Sequence, residues 1–121
     1  MNAIRVLVVD DEGELAHTVV ERLGIRGFEA HAVTSGADAL ARIAENEYDV
    51  VLLDLKMPGL GGLEVIDRIR EQKPDLPVIL VTGHGSVEAA EEGMRAGAHR
   101  YVMKPVSIET LTELIREAAE S

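Results

Sequence analysis

Short apolar runs alternate with segments of helical periodicity along this chain, and the alternation constrains its fold more than any other feature. The runs, rich in Val, Ile and Leu, cover residues 4–9, 29–33, 50–53, 78–81 and 101–103. Between them, apolar residues recur three or four positions apart, which is the spacing of one helix face. Five strand–helix units are therefore predicted, and right-handed crossovers arrange such units as a doubly wound parallel α/β sheet with helices on both faces.

Turn-forming residues agree with this division of the chain. Gly27 is predicted to end the first helix, and Thr34 or Ser35 to cap the second. Glu12 and Glu14 are expected to serve the start of the first helix, where negative charge is favoured. Because no repeat, low-complexity tract or linker is visible, residues 1–121 are predicted to form one domain.

Composition excludes several functions. Hydrophobic residues make up 46% and charged residues 28%, as in water-soluble globular proteins. The net charge of −10 argues against independent binding to nucleic acid or to an anionic membrane. The chain has no cysteine, no apolar stretch long enough to span a bilayer and no signal-peptide pattern, so a cytoplasmic location is expected.

Four of the predicted strands are followed directly by a residue with a charged or hydroxyl side chain. The first is followed by Asp10 and Asp11, the third by Asp54, the fourth by Thr82 and the fifth by Lys104. In an open α/β sheet, the ligand site lies outside the carboxyl ends of the strands. These side chains are therefore expected to share one edge of the sheet.

Each of these residues also has an ordinary structural explanation, because Asp commonly forms turns or helix caps and Thr is common in strands. Three carboxylates at one edge would nevertheless repel one another, and a single ammonium cannot neutralise them all. A divalent cation held by carboxylates, water and a backbone carbonyl would compensate this charge. Beside such a cation, Asp54 could act as a nucleophile on a phosphoryl group, with Lys104 and Thr82 contacting its oxygens.

The motifs together resemble the receiver domain of two-component response regulators over essentially the whole chain. The resemblance rests on VLVVDDE, VVLLDLKMPGLGGLEV, VILVTGHGS and YVMKP, in this order and at these separations. It implies a flavodoxin-like (βα)5 sheet of strand order 2-1-3-4-5. It also implies a phosphorylation-dependent signalling switch that is regulatory and catalyses only its own phosphorylation and dephosphorylation.

Residue by residue, the resemblance implies a metal-dependent phosphoryl site. Asp54 matches the phosphoacceptor, and Asp11 the principal Mg²⁺ ligand, with Mn²⁺ as a substitute. Asp10 matches a supporting ligand that acts directly or through water, and the backbone carbonyl of Lys56 a further ligand.

A second group matches the residues that contact the phosphoryl group and respond to it. Thr82 and Lys104 match the phosphoryl-contacting pair. Tyr101 matches the aromatic residue that turns inward when the Thr hydroxyl moves. The Lys104–Pro105 peptide bond matches one that is typically cis in the family.

The functions of two loop residues have more than one interpretation. Lys56 and His84 lie two residues beyond Asp54 and Thr82, where side chains in this family influence the lifetime of the phosphoryl group. We expect them to tune that lifetime, while solvated loop side chains are an equally good interpretation. Many receivers have an acidic residue where Gly61 stands, so the cap of the third helix departs from the commoner pattern.

The segment of residues 86–100 is predicted to contain the fourth helix, which belongs to the usual output face of receivers. Gly93 within it either makes the helix pliable or allows close packing.

The implied partners are a sensor histidine kinase or phosphotransfer protein, and an output domain or target that reads the face of helix 4, strand 5 and helix 5. A second copy of the chain, in a homodimer, is a further possible partner. The run VTGHGSVEAA most resembles receivers fused to transcriptional activators, although stand-alone receivers and modules of hybrid kinases fit as well.

Two other classes of protein share part of this pattern. A haloacid-dehalogenase-type phosphatase also forms an aspartyl phosphate, but it needs a second acid where this chain has Lys56, and a cap insertion that 121 residues cannot hold. A flavin or nucleotide binder of flavodoxin type is disfavoured by an aromatic content of 2% and by the lack of a Gly-rich phosphate loop after the first strand.

Overall fold

The computed structural model describes residues 3–55, 61–83 and 87–120. Within these ranges, five strands alternate with five helices, as the apolar runs predict. The strands are β1 (Arg5–Val9), β2 (Glu29–Val33), β3 (Val50–Asp54), β4 (Val78–Thr82) and β5 (Arg100–Met103), and the helices are α1 (Gly13–Ile25), α2 (Gly36–Glu45), α3 (Gly62–Gln72), α4 (Val87–Ala96) and α5 (Ile108–Glu120).

All strand pairs are parallel, and the sheet order is β2-β1-β3-β4-β5. The predicted doubly wound sheet is therefore confirmed. The three inner strands are buried along almost their whole length, whereas the edge strands β2 and β5 are partly exposed. This difference follows from the sequence, because only the inner strands are apolar on both faces of the pleat.

Alternate side chains of the sheet enter two separate cores. On one face, Leu7, Leu53 and Leu80 pack against the apolar faces of α2 and α3, including Ile43 and Ile66. The other face packs against α1 and α5 in a second cluster of buried residues. Because strand side chains alternate with a period of two, neighbouring residues of one strand stabilise opposite layers.

Helix ends follow the predicted signals in most places. Gly27 has a φ of 91°, and the amides of Gly27 and Phe28 donate to the carbonyls of Gly24 and Leu23. These two bonds form the Schellman arrangement that ends α1. At the start of α2, the Ser35 hydroxyl accepts a hydrogen bond from the Asp38 amide at 3.1 Å, so Ser35 is the cap.

The fourth helix is shorter than the segment of residues 86–100. It ends at Ala96 because Gly97 has a φ of 117°, and Arg100 already belongs to β5. Gly93 lies inside α4 and is buried, and a Cβ atom there would overlap the Leu80 side chain. The close-packing interpretation of Gly93 is therefore the one the structure supports. Within the described residues, no helix has the length and apolar character needed to span a membrane.

Candidate functional site

The acidic edge of the sheet is built by two central strands. Val9 and Leu53 are register partners in the β1–β3 pair, so the residues that follow them, Asp10 and Asp54, emerge side by side. Both are buried, with 7% and 6% exposure, while Asp11 is exposed. One carboxylate oxygen from each of the three residues lies within 4.8 Å of those of the other two. The structure thus brings together acids that the chain separates by more than forty residues.

Asp10 has a local structural role as well. Its Oδ1 accepts a hydrogen bond from the Glu12 amide at 2.9 Å, and its own amide donates to the Val33 carbonyl at 3.1 Å. Glu12 occupies the N-cap position of α1, but its side chain makes no capping hydrogen bond. Glu12 therefore stands at the helix start, as expected, but places negative charge there without capping an amide. Glu14 does lie in the first turn, as expected.

Lys104 completes the cluster from the end of β5. Its Nζ lies 3.3 Å from Asp54 Oδ2 and 3.5 Å from Asp10 Oδ2, so one ammonium bridges both buried carboxylates. Burial lowers the pKa of Lys104, but the charges of Asp54 and Asp10 and their hydrogen bonds raise it more, and the net shift is upward. The Lys104–Pro105 peptide bond is cis, the conformation that the resemblance implies.

Thr82 is the last residue of β4 and is fully buried. The carbonyl of Thr82 accepts a hydrogen bond from the Lys104 amide at 2.7 Å, which joins the ends of β4 and β5. Its hydroxyl has no hydrogen-bond partner within the described part of the chain. Burying a hydroxyl without a partner costs free energy, and such groups are rare in folded proteins. The Thr82 hydroxyl therefore remains able to donate a hydrogen bond to a ligand oxygen.

The remaining predicted residues lie on the edge strand β5, at the start of α3 or outside the described ranges. Tyr101 is on the edge strand β5, paired in register with Leu80, and is 39% exposed. Lys56 and His84, expected to supply a metal-binding carbonyl and to tune the phosphoryl lifetime, lie outside the described residues. Gly61 is the N-cap residue of α3 and offers no side-chain cap.

The donor set fits a hard divalent cation. Mg²⁺ takes oxygen ligands at about 2.0–2.1 Å in an octahedron, so opposite ligand atoms are about 4.2 Å apart. The 4.8 Å cluster of Asp10, Asp11 and Asp54 is close to that size, and small side-chain rotations would close the difference. Lys104 pairs with Asp10 and Asp54, and among the described residues of this cluster the three carboxylates outnumber that one ammonium, which favours a cation.

One feature of the site has no clear sequence signal. A cavity of about 560 Å³ opens beside Asp54 and Lys104, between α1 and α5, with walls that include Leu15, Val19 and Leu111. Leu15 and Val19 belong to the apolar stripe of α1, and periodicity predicts that such a stripe is buried. Leu15 is instead 38% exposed. Periodicity indicates which face of a helix turns inward, but not how closely the helix approaches its neighbour.

Comparison with known proteins gives one consistent result. The family model described as the response regulator receiver domain matches residues 6–116. The chain is 36% identical over 121 residues to the regulatory protein AtoC of Escherichia coli, and 38% identical over 108 residues to the two-component response regulator PhoP of Pseudomonas aeruginosa. These alignments cover 99% and 89% of this chain, but only 26% of AtoC and 48% of PhoP. The chain thus spans half or less of the length of these relatives.

Solved structures agree with the sequence matches. A response regulator receiver domain protein from Clostridium thermocellum superposes with a TM-score of 0.93 at 34% identity, covering 97% of this chain and 94% of that one. NtrX from Brucella abortus superposes with a TM-score of 0.92 at 35% identity, covering 98% of this chain and 27% of NtrX. The phosphatase alternative receives no support from these matches.

Proposed function

Because the chain belongs to the response regulator receiver domain family, we propose that it works as a switch operated by phosphorylation of Asp54. The observation that carries this proposal is the convergence on Asp54 of one ammonium and two further carboxylates, all at the carboxyl ends of parallel strands. No enzyme family is indicated by the comparisons, and the proposed chemistry is limited to phosphorylation and dephosphorylation of the chain itself.

The proposed reaction uses a carboxylate oxygen of Asp54 as the nucleophile. This oxygen forms a bond to phosphorus while the bond from phosphorus to the donor breaks, and the donor's imidazole nitrogen or acyl oxygen keeps the electron pair. Lys104 Nζ, already 3.3 Å from Asp54 Oδ2, stabilises the negative charge on the phosphoryl oxygens. The Thr82 hydroxyl, which has no hydrogen-bond partner among the described residues, donates to one of those oxygens.

Mg²⁺ is the proposed cofactor, with Mn²⁺ as a substitute. Asp11, Asp54 and the Lys56 carbonyl would hold it, and Asp10 would support it directly or through water. When bound, the metal neutralises charge on the phosphoryl oxygens. Asp10 suits a supporting role because one of its oxygens is already engaged by the Glu12 amide.

The proposed output begins at Thr82. Movement of its hydroxyl towards the phosphoryl group vacates space in the buried layer, and Tyr101, now 39% exposed, turns inward to fill it. This changes the face of α4, β5 and α5 that an output domain, a target protein or a second copy would read. The Lys56 and His84 side chains are proposed to tune the phosphoryl lifetime, and unchanged dephosphorylation rates after replacing both would contradict that role.

The wider setting follows from the relatives. A sensor histidine kinase or phosphotransfer protein is the proposed donor, and small acyl phosphates the alternative. Regulation of transcription is proposed because AtoC and the C4-dicarboxylate transport regulator DctD of Rhizobium meliloti are named as regulatory proteins and align over 99% and 95% of this chain. We propose that residues 1–121 form one receiver domain that acts in the cytoplasm.

Mass spectrometry after incubation with acetyl phosphate tests the central claim. Wild type should gain the mass of one phosphoryl group with Mg²⁺ and none without it. Asp54→Ala should gain none, and Asp67→Ala, which removes an exposed acid of α3, should behave as wild type. An adduct that forms without metal, or that persists unchanged in Asp54→Ala, would contradict the proposal.

A further inference from the structure

Gly62, the first residue of α3, lies in close contact with Leu55, the residue that follows Asp54. Gly62 is buried, and a Cβ atom built on it would lie 2.9 Å from Leu55 Cδ2, 3.0 Å from Leu55 Cα and 3.2 Å from the Leu55 carbonyl oxygen. Non-bonded carbon atoms prefer separations of about 3.5–4.0 Å. Turning the Leu55 side chain would relieve only the first contact, because the other two atoms belong to the backbone.

The neighbouring glycine shows that this crowding is specific. Gly61 is exposed, and a Cβ atom built on it would have no heavy atom within 4 Å. Neither glycine is among those with positive φ, which in the described residues are Gly27 and Gly97. Gly62 is therefore required by lack of space and not by its backbone dihedral angles.

Leu55 is connected to the phosphoryl site on both sides. Its Cα belongs to the planar peptide unit that carries the Asp54 carbonyl, and its carbonyl oxygen belongs to the unit that carries the Lys56 nitrogen. A displacement of these two atoms by a few tenths of an ångström is therefore passed on to both neighbours. Both residues are proposed metal ligands, and Mg²⁺ tolerates little departure from octahedral geometry.

We propose that Gly62 is a positioning residue for the metal site, because the absence of its side chain lets the Leu55 backbone hold Asp54 where its carboxylate can bind Mg²⁺. Gly62 would touch neither the metal nor the phosphoryl group and would act through Leu55. This inference rests on the proposed function, since it concerns the same metal site.

The test compares Gly62→Ala with the matched control Gly61→Ala. Isothermal titration calorimetry measures Mg²⁺ binding directly, and urea unfolding with and without Mg²⁺ gives the same affinity through linkage, even for a weakly folded variant. Gly62→Ala should bind Mg²⁺ about tenfold more weakly than wild type, in the range found for residues that orient metal ligands. Gly61→Ala should bind it as wild type does.

A third variant separates the two kinds of contact. Leu55→Ala combined with Gly62→Ala removes the crowded Cδ2 atom but leaves the Cα and the carbonyl oxygen in place, so its Mg²⁺ binding should remain weak. Wild-type affinity in Gly62→Ala, or full recovery in the double variant, would overturn the inference. A purely structural effect would lower the metal-free unfolding free energy without changing Mg²⁺ affinity, and would also overturn it. Failure of wild type and Gly61→Ala to bind Mg²⁺ would instead refute the proposed function.

Discussion

Lys104 Nζ lies 3.3 Å from Asp54 Oδ2, although the two residues are fifty positions apart in the chain. The same nitrogen is 3.5 Å from Asp10 Oδ2. Lys104 is thus a counter-ion shared by two buried carboxylates. The proposed phosphoryl group would be drawn to this ammonium, so the residue that stabilises the resting site would also contact the product.

Removing this counter-ion should destabilise the metal-free protein. Lys104→Met leaves Asp10 and Asp54 buried without it, and because the Lys104 side chain is partly exposed we expect a loss of about 1–3 kcal/mol in the free energy of unfolding. Urea denaturation in a chelator measures the loss. Lys73→Met, at the end of α3, should change stability much less. Because Lys104→Met takes one positive charge away from the carboxylates, added Mg²⁺ should stabilise this variant more than wild type.

The contribution of Lys104 should disappear at high pH. Its pKa is raised in the folded state above the ordinary value of 10.5, so its stabilising effect is fully present below the unfolded-state pKa and is lost as the pH rises through the folded-state pKa. The difference in unfolding free energy between wild type and Lys104→Met should therefore be constant from about pH 7 to about pH 9 and shrink above about pH 10.5. A difference that grows in that alkaline range would contradict the assigned pairing.

The two adjacent aspartates should give different phenotypes. Asp10→Ala removes the acceptor for the Glu12 amide and should lower the metal-free unfolding free energy by about 1 kcal/mol. Asp11→Ala removes an exposed like charge and should leave metal-free stability unchanged or higher.

Added Mg²⁺ extends this comparison. At a hundred times the dissociation constant it should stabilise wild type by about 2.7 kcal/mol, and Asp11→Ala should lose most of that gain. Urea titrations of the three proteins, each with Mg²⁺ and with chelator, measure both effects. Equal metal-free stability of the two variants would count against the structural role of Asp10.

Two helical glycines should respond to alanine in opposite directions. Gly93→Ala gains helix propensity but places a Cβ atom inside the Leu80 side chain, and overpacking of this kind costs about 1–3 kcal/mol. Gly24→Ala in α1 meets nothing within 4 Å and should stabilise by up to about 1 kcal/mol. Thermal or urea unfolding of both variants measures the contrast. If Gly93→Ala were more stable than wild type, α4 would have to shift to accommodate the new Cβ atom at little cost, as the pliable-helix interpretation requires.

The hydroxyl of Thr82 can be separated from its methyl group. Thr82→Val keeps the shape and removes a buried hydroxyl without a partner in the described residues, so metal-free stability should equal or exceed that of wild type by about 1 kcal/mol. Thr82→Ser keeps the hydroxyl and should lose about 1 kcal/mol with the buried methyl group.

Phosphoryl uptake from acetyl phosphate should rank these two variants in the reverse order. Only the hydroxyl of serine can donate to a phosphoryl oxygen, so Thr82→Ser should be labelled faster than Thr82→Val. Mass spectrometry over time measures the two rates. Equal rates would remove Thr82 from the proposed chemistry while leaving the stability prediction intact.

The sequence by itself determined the architecture and the edge of the sheet at which the candidate site residues lie. Strands that are apolar on both faces require helices on both sides, and parallel strands necessarily bring Asp10, Asp54, Thr82 and Lys104 to one edge. These conclusions depend on local periodicity and on the direction of the chain, and both can be read without coordinates. The cap at Ser35 and the helix end at Gly27 were predictable for the same reason.

Only the tertiary structure decided the relationships that depend on distances between atoms remote in sequence or across a turn. That the Asp10 carboxylate accepts a hydrogen bond from the Glu12 amide depends on how the chain turns where it leaves β1. That Gly62 and Gly93 have no room for a side chain, while Gly61 and Gly24 have ample room, depends on packing against Leu55 and Leu80. Glycines look alike in a sequence, because the space available to a missing side chain is a property of its neighbours in three dimensions and not of the residue itself.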